Sequence, residues 1–280
     1  MKTELRTLEA VSAKGRLLGL DMVYNCASGH LGGSFSAMDI LTTLYFETMR
    51  VDPKAPQDPD RDRFVLSKGH CTPALYPILA QRGYFPEEDL KLFRSVEGHL
   101  SGHAEMHHVK GVDMSTGSLG QGISAAAGMA LAARHKKMDC RVYTLLGDGE
   151  IQEGQVWEAM MFAAHYKLDN FCAIVDNNGL QIDGPVDQVM SPYPIPEKLR
   201  AFGFEVMEID GHDFDQIEAA FAKAKEAKGT PFAIVMKTTK GKGVSYMEGQ
   251  AGWHGKAPND EEYEIAMNEL NAQLAEVEAM

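Results

Sequence analysis

Two stretches decide the fold: RVYTLLGDGEIQEG at 141–154 and FCAIVDNNGLQIDG at 171–184. Each opens on a near-continuous apolar run and ends on a turn of glycine with aspartate or asparagine. A strand that is apolar on both faces belongs in a parallel sheet covered by helices on both sides. The intervening segment, 153–167, is expected to be a helix beginning near Glu153. The same unit recurs downstream as GFEVMEID, a helix over 213–227 and the strand PFAIVMKT. Toward the N-terminus, Arg63–Leu66 is a short strand candidate, 72–82 a helix, and 119–136 a small-residue helix suited to close packing on a sheet. Leu5 to Cys26 carries apolar residues at helical spacing. After the glycine-rich turn ASGHLGGS, a second helix is expected to start at Ser36 or Asp39 and run through Leu44. Residues 50–62 form a polar, proline-rich loop, and 93–118, without period and rich in Gly, His and Ser, a long loop entering the site. Residues 260–277 read as an acidic, peripheral helix. The alternation predicts an α/β fold, a mainly parallel sheet with helices on both faces, in a single domain spanning 1–280.

Composition bounds the function. The chain has 280 residues, 44% hydrophobic, enough for a large buried core. A net charge of −13 spread along the chain argues against nucleic acid or anionic membrane as partner, while leaving room for a local cationic pocket. No stretch approaches the roughly 18 apolar residues of a membrane span, and the N-terminal residues lack the pattern of a signal peptide. Cys26, Cys71, Cys140 and Cys172 form no CxxC pair, which predicts free thiols and a cytoplasmic location.

In parallel sheets ligands sit beyond the carboxyl ends of the strands. Those ends carry Gly147-Asp148-Gly149, Asp176-Asn177-Asn178 and Lys237-Thr238-Thr239. Asp148 and Asn178 are expected to converge, and with the Leu180 carbonyl they make a hard oxygen set suited to Mg²⁺. Gly147 and Gly149 would let a diphosphate approach the backbone, next to a helix N-terminus. GDG alone is equally a sharp strand-to-helix turn; the second half at the right distance argues for the cation. The spacing fits neither the dinucleotide fingerprint, since Gln152 stands at its sixth position, nor a mononucleotide P-loop.

His30, His70, His103 and His254 each lie in or beside a glycine-containing turn, where imidazoles suit proton transfer and hydrogen bonds to sugar hydroxyls. His99, His103, His107 and His108 invite a zinc reading, but no cysteine joins them. The segment STGSLGQG, 115–122, is either an anion nest or a glycine-rich helix start packed on a strand; taken alone, the second is favoured.

Together ASGHLGGSFSAMDI, FVLSKGHCTPALY, GHLSGHAE, STGSLGQG, GDGEIQEGQVWEA, DNNGLQIDG and the late KGKG…WHG resemble the transketolase family, in its order and over roughly residues 20 to 256. The resemblance implies thiamine diphosphate and Mg²⁺ as cofactors, with Asp148, Asn178 and the Leu180 carbonyl on the metal. It places Gly149 and His70 at the diphosphate, His254 near diphosphate and thiazolium, and Gly117 and Leu119 along the cofactor rings. His30 and His103 would face the donor sugar's hydroxyls, and Glu153 would link cofactor sites across a dimer interface. The departure is length. A full transketolase adds a pyrimidine-binding domain, which supplies the glutamate on the aminopyrimidine, and a C-terminal domain. The resemblance therefore implies half of a split enzyme, inactive without a C-terminal subunit carrying the pyrimidine-binding domain. The implied assembly is α2β2, moving a two-carbon ketol unit between sugar phosphates of the pentose phosphate type. Two alternatives stay open: the α subunit of another thiamine-diphosphate sugar-converting complex, and a non-catalytic, regulatory cofactor-binding half.

Overall fold

The computed structural model describes residues 5–279. Residues 1–4, the start of the segment read as lacking a signal peptide, lie outside these, as does residue 280. In chain order the elements are α1 (Leu5–Cys26), α2 (Leu31–Thr43), β1 (Arg63–Leu66), α3 (Thr72–Arg82), α4 (Gly122–His135), β2 (Val142–Gly147) and α5 (Gly154–His165). There follow β3 (Phe171–Asn177), β4 (Leu180–Gln181), β5 (Gly184–Pro185), α6 (Val186–Met190), α7 (Ile195–Ala201), β6 (Glu205–Asp210), α8 (Phe214–Glu226), β7 (Phe232–Lys237) and α9 (Asp260–Ala279).

The main sheet runs β1-β2-β3-β7-β6, every pairing parallel. Its strands are apolar on both faces because each face packs on its own layer of helices. In β3, Cys172 and Ile174 enter one core with α1, α2, α3 and α8, while Phe171, Ala173 and Val175 enter a second with α4, α5 and α7. β2 divides in the same way, Tyr143 and Leu145 to the first and Val142 and Leu146 to the second. This is the two-residue period of a strand, doubled into two apolar sets. β6, at the sheet edge, is the exception: its Glu205, Glu208 and Asp210 are not buried. Register brings the strand ends flush, Gly147 opposite Asp176 and Asn177 opposite Lys237.

The second helix differs from its expected start. α2 begins at Leu31, directly after His30, and all its residues are buried. Gly32 and Gly33 sit in its first turn, where they look like helix breakers in sequence. Their role is close approach: a Cβ on Gly32 would stand 2.8 Å from the Trp253 carbonyl oxygen, and one on Gly33 3.3 Å from Lys68 Nζ. The helices expected over 119–136, 153–167 and 213–227 are each shorter at their ends, at 122–135, 154–165 and 214–226. The acidic C-terminal helix extends to Ala279 and is anchored on α1, with Tyr263 stacked on Tyr24 at 3.8 Å and Ala266 and Leu270 fully buried.

One buried polar network joins the first core to the strand ends. Arg16 of α1 grips Asp39 of α2 through two bonds, 2.9 and 2.7 Å. His212, in the turn after β6, binds Asp39 through Nδ1 at 2.7 Å and accepts the Thr239 N–H at Nε2, 2.9 Å. Since Nε2 accepts, Nδ1 carries the proton. Burial alone would raise Asp39, but Arg16 and His212 hold it well below the usual carboxylate range. Asp39→Ala should lower stability by about 3–5 kcal/mol in urea unfolding at pH 7, because it strands the Arg16 charge in the core. As the folded-state pKa is depressed, the wild-type contribution is complete above the unfolded value of about 4 and is lost as pH falls below it. The difference between wild type and variant should therefore shrink in acid.

Candidate functional site

Parallel strands open every strand-to-helix turn on the same sheet edge, and the side chains of interest meet there. A cleft of about 210 Å³ is walled by Lys68, His70, Asp148, Asn178, Lys240 and His254, with Gly33, Leu119, Gly147, Gly149, Glu153 and Leu180. A larger hollow of about 480 Å³ flanks Asn178 beside Tyr193–Glu197, but it holds none of the four histidines.

Asp148 follows β2 and is almost fully buried. Among the described residues its carboxylate accepts backbone N–H groups alone, from Gly149 (2.8 Å) and Gly179 (2.6 Å). Burial, then the nearby charge of Asp176, raises it to about 6. Among the described residues no cationic side chain hydrogen-bonds to it, Lys68 acting on it only through its charge, and a buried carboxylate so placed on a cleft fits a divalent cation. Asn178 turns its Oδ1 to the Leu180 N–H at 3.1 Å. The Leu180 carbonyl accepts from Lys240 Nζ at 3.2 Å. These oxygens could supply three positions to a hard cation.

Lys68 and Lys240 bring positive charge to the same edge. Lys68 is paired with Asp176 at 2.5 Å and donates to the Gly33 carbonyl at 3.0 Å. Lys240 donates to His254 Nδ1 at 3.2 Å as well as to Leu180. Burial, then the Lys68 charge, pulls Lys240 below the ordinary lysine value. Two buried ammonium groups beside a glycine-lined turn fit an anionic group such as a diphosphate. Gly147 contributes chiefly by lacking a side chain, because its N–H is already bound to Glu150 Oε2 at 3.1 Å.

The four histidines form one cluster. Ring centroids lie 5.1 Å apart for His30–His70, 5.8 Å for His30–His103, 5.6 Å for His30–His254 and 5.0 Å for His70–His254. Gly117, at φ +144°, lies against the His103 ring, where a Cβ would come within 3.0 Å. His30 Nδ1 is buried and has no hydrogen-bond partner among the described residues. Burial, then His103, lowers His30 to about 4; burial, then Lys240, lowers His254 to about 3. His70 is lowered strongly, by burial and then Lys68, and His103 is lowered by burial and then Arg94. All four are neutral at pH 7. Because Lys240 donates to His254 Nδ1, the His254 proton sits on Nε2.

The zinc reading of the 99–108 histidines finds no geometry. His99 lies 3.9 Å from Asp89, His108 pairs with Glu105 at 2.9 Å, and His103 faces His30. Among the described residues no three His, Cys, Asp or Glu side chains converge as a metal group. The segment 115–122 lies against the site, held by Thr116 Oγ1 on the Leu66 carbonyl (2.6 Å) and Gly120 N–H on Glu150 (3.0 Å). Sequence reasoning did not single out Lys68, Lys240 and Glu150. Lys68 sits inside SKGH and Lys240 opens KGKG, so the signal was lysine within a glycine motif at a strand end.

The fold and cleft place the chain among parallel α/β proteins that bind ligands at the carboxyl ends of their strands. The family model described as "Transketolase, thiamine diphosphate binding domain" matches residues 7–276. The chain belongs to the transketolase family. It is 42% identical to one subunit of the apulose-4-phosphate transketolase of Phocaeicola vulgatus, over 98% of both chains. It is 45% identical to the 6-deoxy-6-sulfo-D-fructose transketolase subunit SqwG of a Clostridium species, over 93% of this chain and 94% of that one. Transketolase from Campylobacter jejuni superposes with a TM-score of 0.90 at 34% identity, over 98% of this chain and 46% of that one. The chain thus spans about half the length of the solved transketolases it matches.

The lowered histidines predict a pH signature. The unfolded chain takes up protons near pH 6.5 that, in the folded chain, His30 refuses until about pH 4 and His254 until about pH 3, so these groups destabilise the fold as pH drops through that window. His254→Asn should lose less stability than wild type between pH 7.5 and pH 5 in urea melts. An equal loss in both would contradict the assignment.

Proposed function

We propose that the chain is the diphosphate- and metal-binding subunit of a two-chain transketolase, which moves a two-carbon ketol unit from a ketose bearing an acidic group to an aldose. One observation carries this reading. The chain matches two relatives that are themselves named as transketolase subunits nearly end to end, yet spans 46% of the Campylobacter jejuni transketolase. The two relatives are named for a sugar phosphate and a sulfo-sugar, which supports an acid-bearing ketose as donor.

Thiamine diphosphate, when bound, supplies the electron sink for carbon–carbon cleavage and transfer. Asp148, Asn178 and the Leu180 carbonyl would hold Mg²⁺, and Asn178 would also contact the diphosphate. Gly149, His70 and Lys240 would hold the diphosphate, and Gly117 and Leu119 would contact the cofactor rings. His30 and His103, neutral and adjacent, exchange hydrogen bonds and protons with the donor's hydroxyls. His254, on the cleft wall, keeps an Nε2–H to offer a ligand while Lys240 fixes its other nitrogen. Glu153, on the cleft wall at the start of α5, communicates with a neighbouring site. Leu119 and Ile182, apolar and exposed at the cleft, are covered by the second subunit, which excludes water from the reacting carbon.

The purified chain, assayed with ketose and aldose phosphates, thiamine diphosphate and Mg²⁺, should show no ketol transfer. Addition of a second chain carrying the pyrimidine-binding domain should restore it. Robust turnover by the chain alone, with no second polypeptide visible by mass spectrometry, would overturn the two-chain reading. In the assembled enzyme, His103→Ala should lower kcat about a hundredfold or more with little change in cofactor affinity. His70→Ala should weaken cofactor binding about tenfold or more. The reverse pattern, read by calorimetry and initial rates, would exchange their roles.

A further inference from the structure

Asp176, the penultimate residue of β3, is fully buried and is not among the residues that line the cleft. Its Oδ2 accepts Lys68 Nζ at 2.5 Å, Ser36 Oγ at 2.6 Å and Asn178 Nδ2 at 3.3 Å. Its Oδ1 accepts the Thr238 hydroxyl. Four separate parts of the chain, α2, the end of β1, the β3 turn and the end of β7, therefore meet on one carboxylate.

We infer that Asp176 is a positioning residue, which fixes the Asn178 side-chain amide with its oxygen toward the cation site. A primary amide has one accepting and one donating end, nearly equal in size, so its orientation is set by its neighbours. Here two neighbours demand the same choice. The ion-paired Asp176 carboxylate can only accept, so it takes the NH₂ end. The Leu180 N–H can only donate, and it meets Oδ1 at 3.1 Å. A flipped amide would set oxygen against carboxylate and NH₂ against N–H, and would turn two N–H bonds toward the cation. A hard cation binds oxygen and not an amide NH₂. Asp176 thus acts on the metal through Asn178 and without touching it. Lys68 is its counter-ion, so the ionised carboxylate can stay buried at the strand end.

The inference rests on the reading of Asp148, Asn178 and Leu180 as metal ligands, and the two can be separated. The probe is Mn²⁺ in place of Mg²⁺, titrated by electron paramagnetic resonance into the two-chain enzyme at saturating thiamine diphosphate. Asp176→Leu with Lys68→Met removes one charge of each sign, so the long-range field is balanced while the acceptor is lost. That variant should bind Mn²⁺ about tenfold or more weakly. Asp176→Asn with Lys68→Met is also balanced but keeps an oxygen that can accept from Asn178 Nδ2. It should stay within about threefold of wild type. Thermal melts of both variants report stability separately from metal affinity. Mn²⁺ affinity unchanged in the leucine variant, or lost equally in both, overturns the inference. Asp148→Ala is the control: if it keeps Mn²⁺ affinity, the metal site itself is misassigned. If the leucine variant does not fold, the wild-type Mn²⁺ complex decides by crystallography. Asn178 Nδ2 within hydrogen-bond distance of Asp176 supports the inference, and Nδ2 turned away from Asp176 overturns it.

Discussion

The constraint behind this molecule is that parallel neighbours cannot be joined by a tight turn. Every strand of the main sheet must return through a crossover, so all five release the chain on one edge. The flush register of β2, β3 and β7 then puts Asp148, Asn178 and the Lys237–Lys240 turn within one small volume. The chemistry is concentrated there because the topology leaves nowhere else for those turns to go. The two apolar cores on either side give the strands their rigidity and leave only the ends polar. Buried charge at such an edge is tolerated because it is paired, as in Lys68–Asp176 and Arg16–Asp39.

The edge is electrically divided. Lys68 is held charged by Asp176, and burial with the Lys68 charge draws Lys240 below the ordinary lysine value, while the imidazoles beside them are lowered toward the neutral form. Burial is the larger cause; for His30, His70 and His254 the lysines add to it, because positive charge beside an imidazole opposes its protonation. One side of the cleft offers a field, suited to an anion and a metal, and the other offers neutral donors and acceptors, suited to hydroxyls. His30 Nδ1, without a partner among the described residues, belongs to the imidazole group, where a ligand could relieve the cost of a buried polar atom left alone.

The strands were the most legible part of the sequence. Continuous apolar runs such as VYTLL and FCAIV permit little except a strand covered on both faces, and their order placed Asp148 and Asn178 on neighbouring ends. The start of α2 was not legible, because Gly32 and Gly33 score as breakers while the close approach of Trp253 and Lys68 that requires them is a tertiary fact. The short helix α7, Ile195–Ala201, was missed because its seven residues are too few to show a period. Histidines in glycine turns stood out by their type, whereas Lys68, Lys240 and Glu150 did not. A lysine or glutamate is ordinarily a surface residue, and only burial reveals that these three face inward.

Glu150 joins three segments through one side chain. Its carboxylate takes the Ser67 hydroxyl at 2.5 Å from the end of β1, the Gly120 N–H at 3.0 Å from the 115–122 segment and the Gly147 N–H at 3.1 Å from the end of β2. With three bonds sharing one planar group, a shift of any one segment tilts the plane and strains the other two. The segments therefore behave as the legs of a tripod. Their spacing is set by the size of a carboxylate rather than by loop length, and a thermal displacement of one is transmitted to all. Precision at the cleft is in that sense collective: it is lost all together when the shared foot is removed, and not loop by loop.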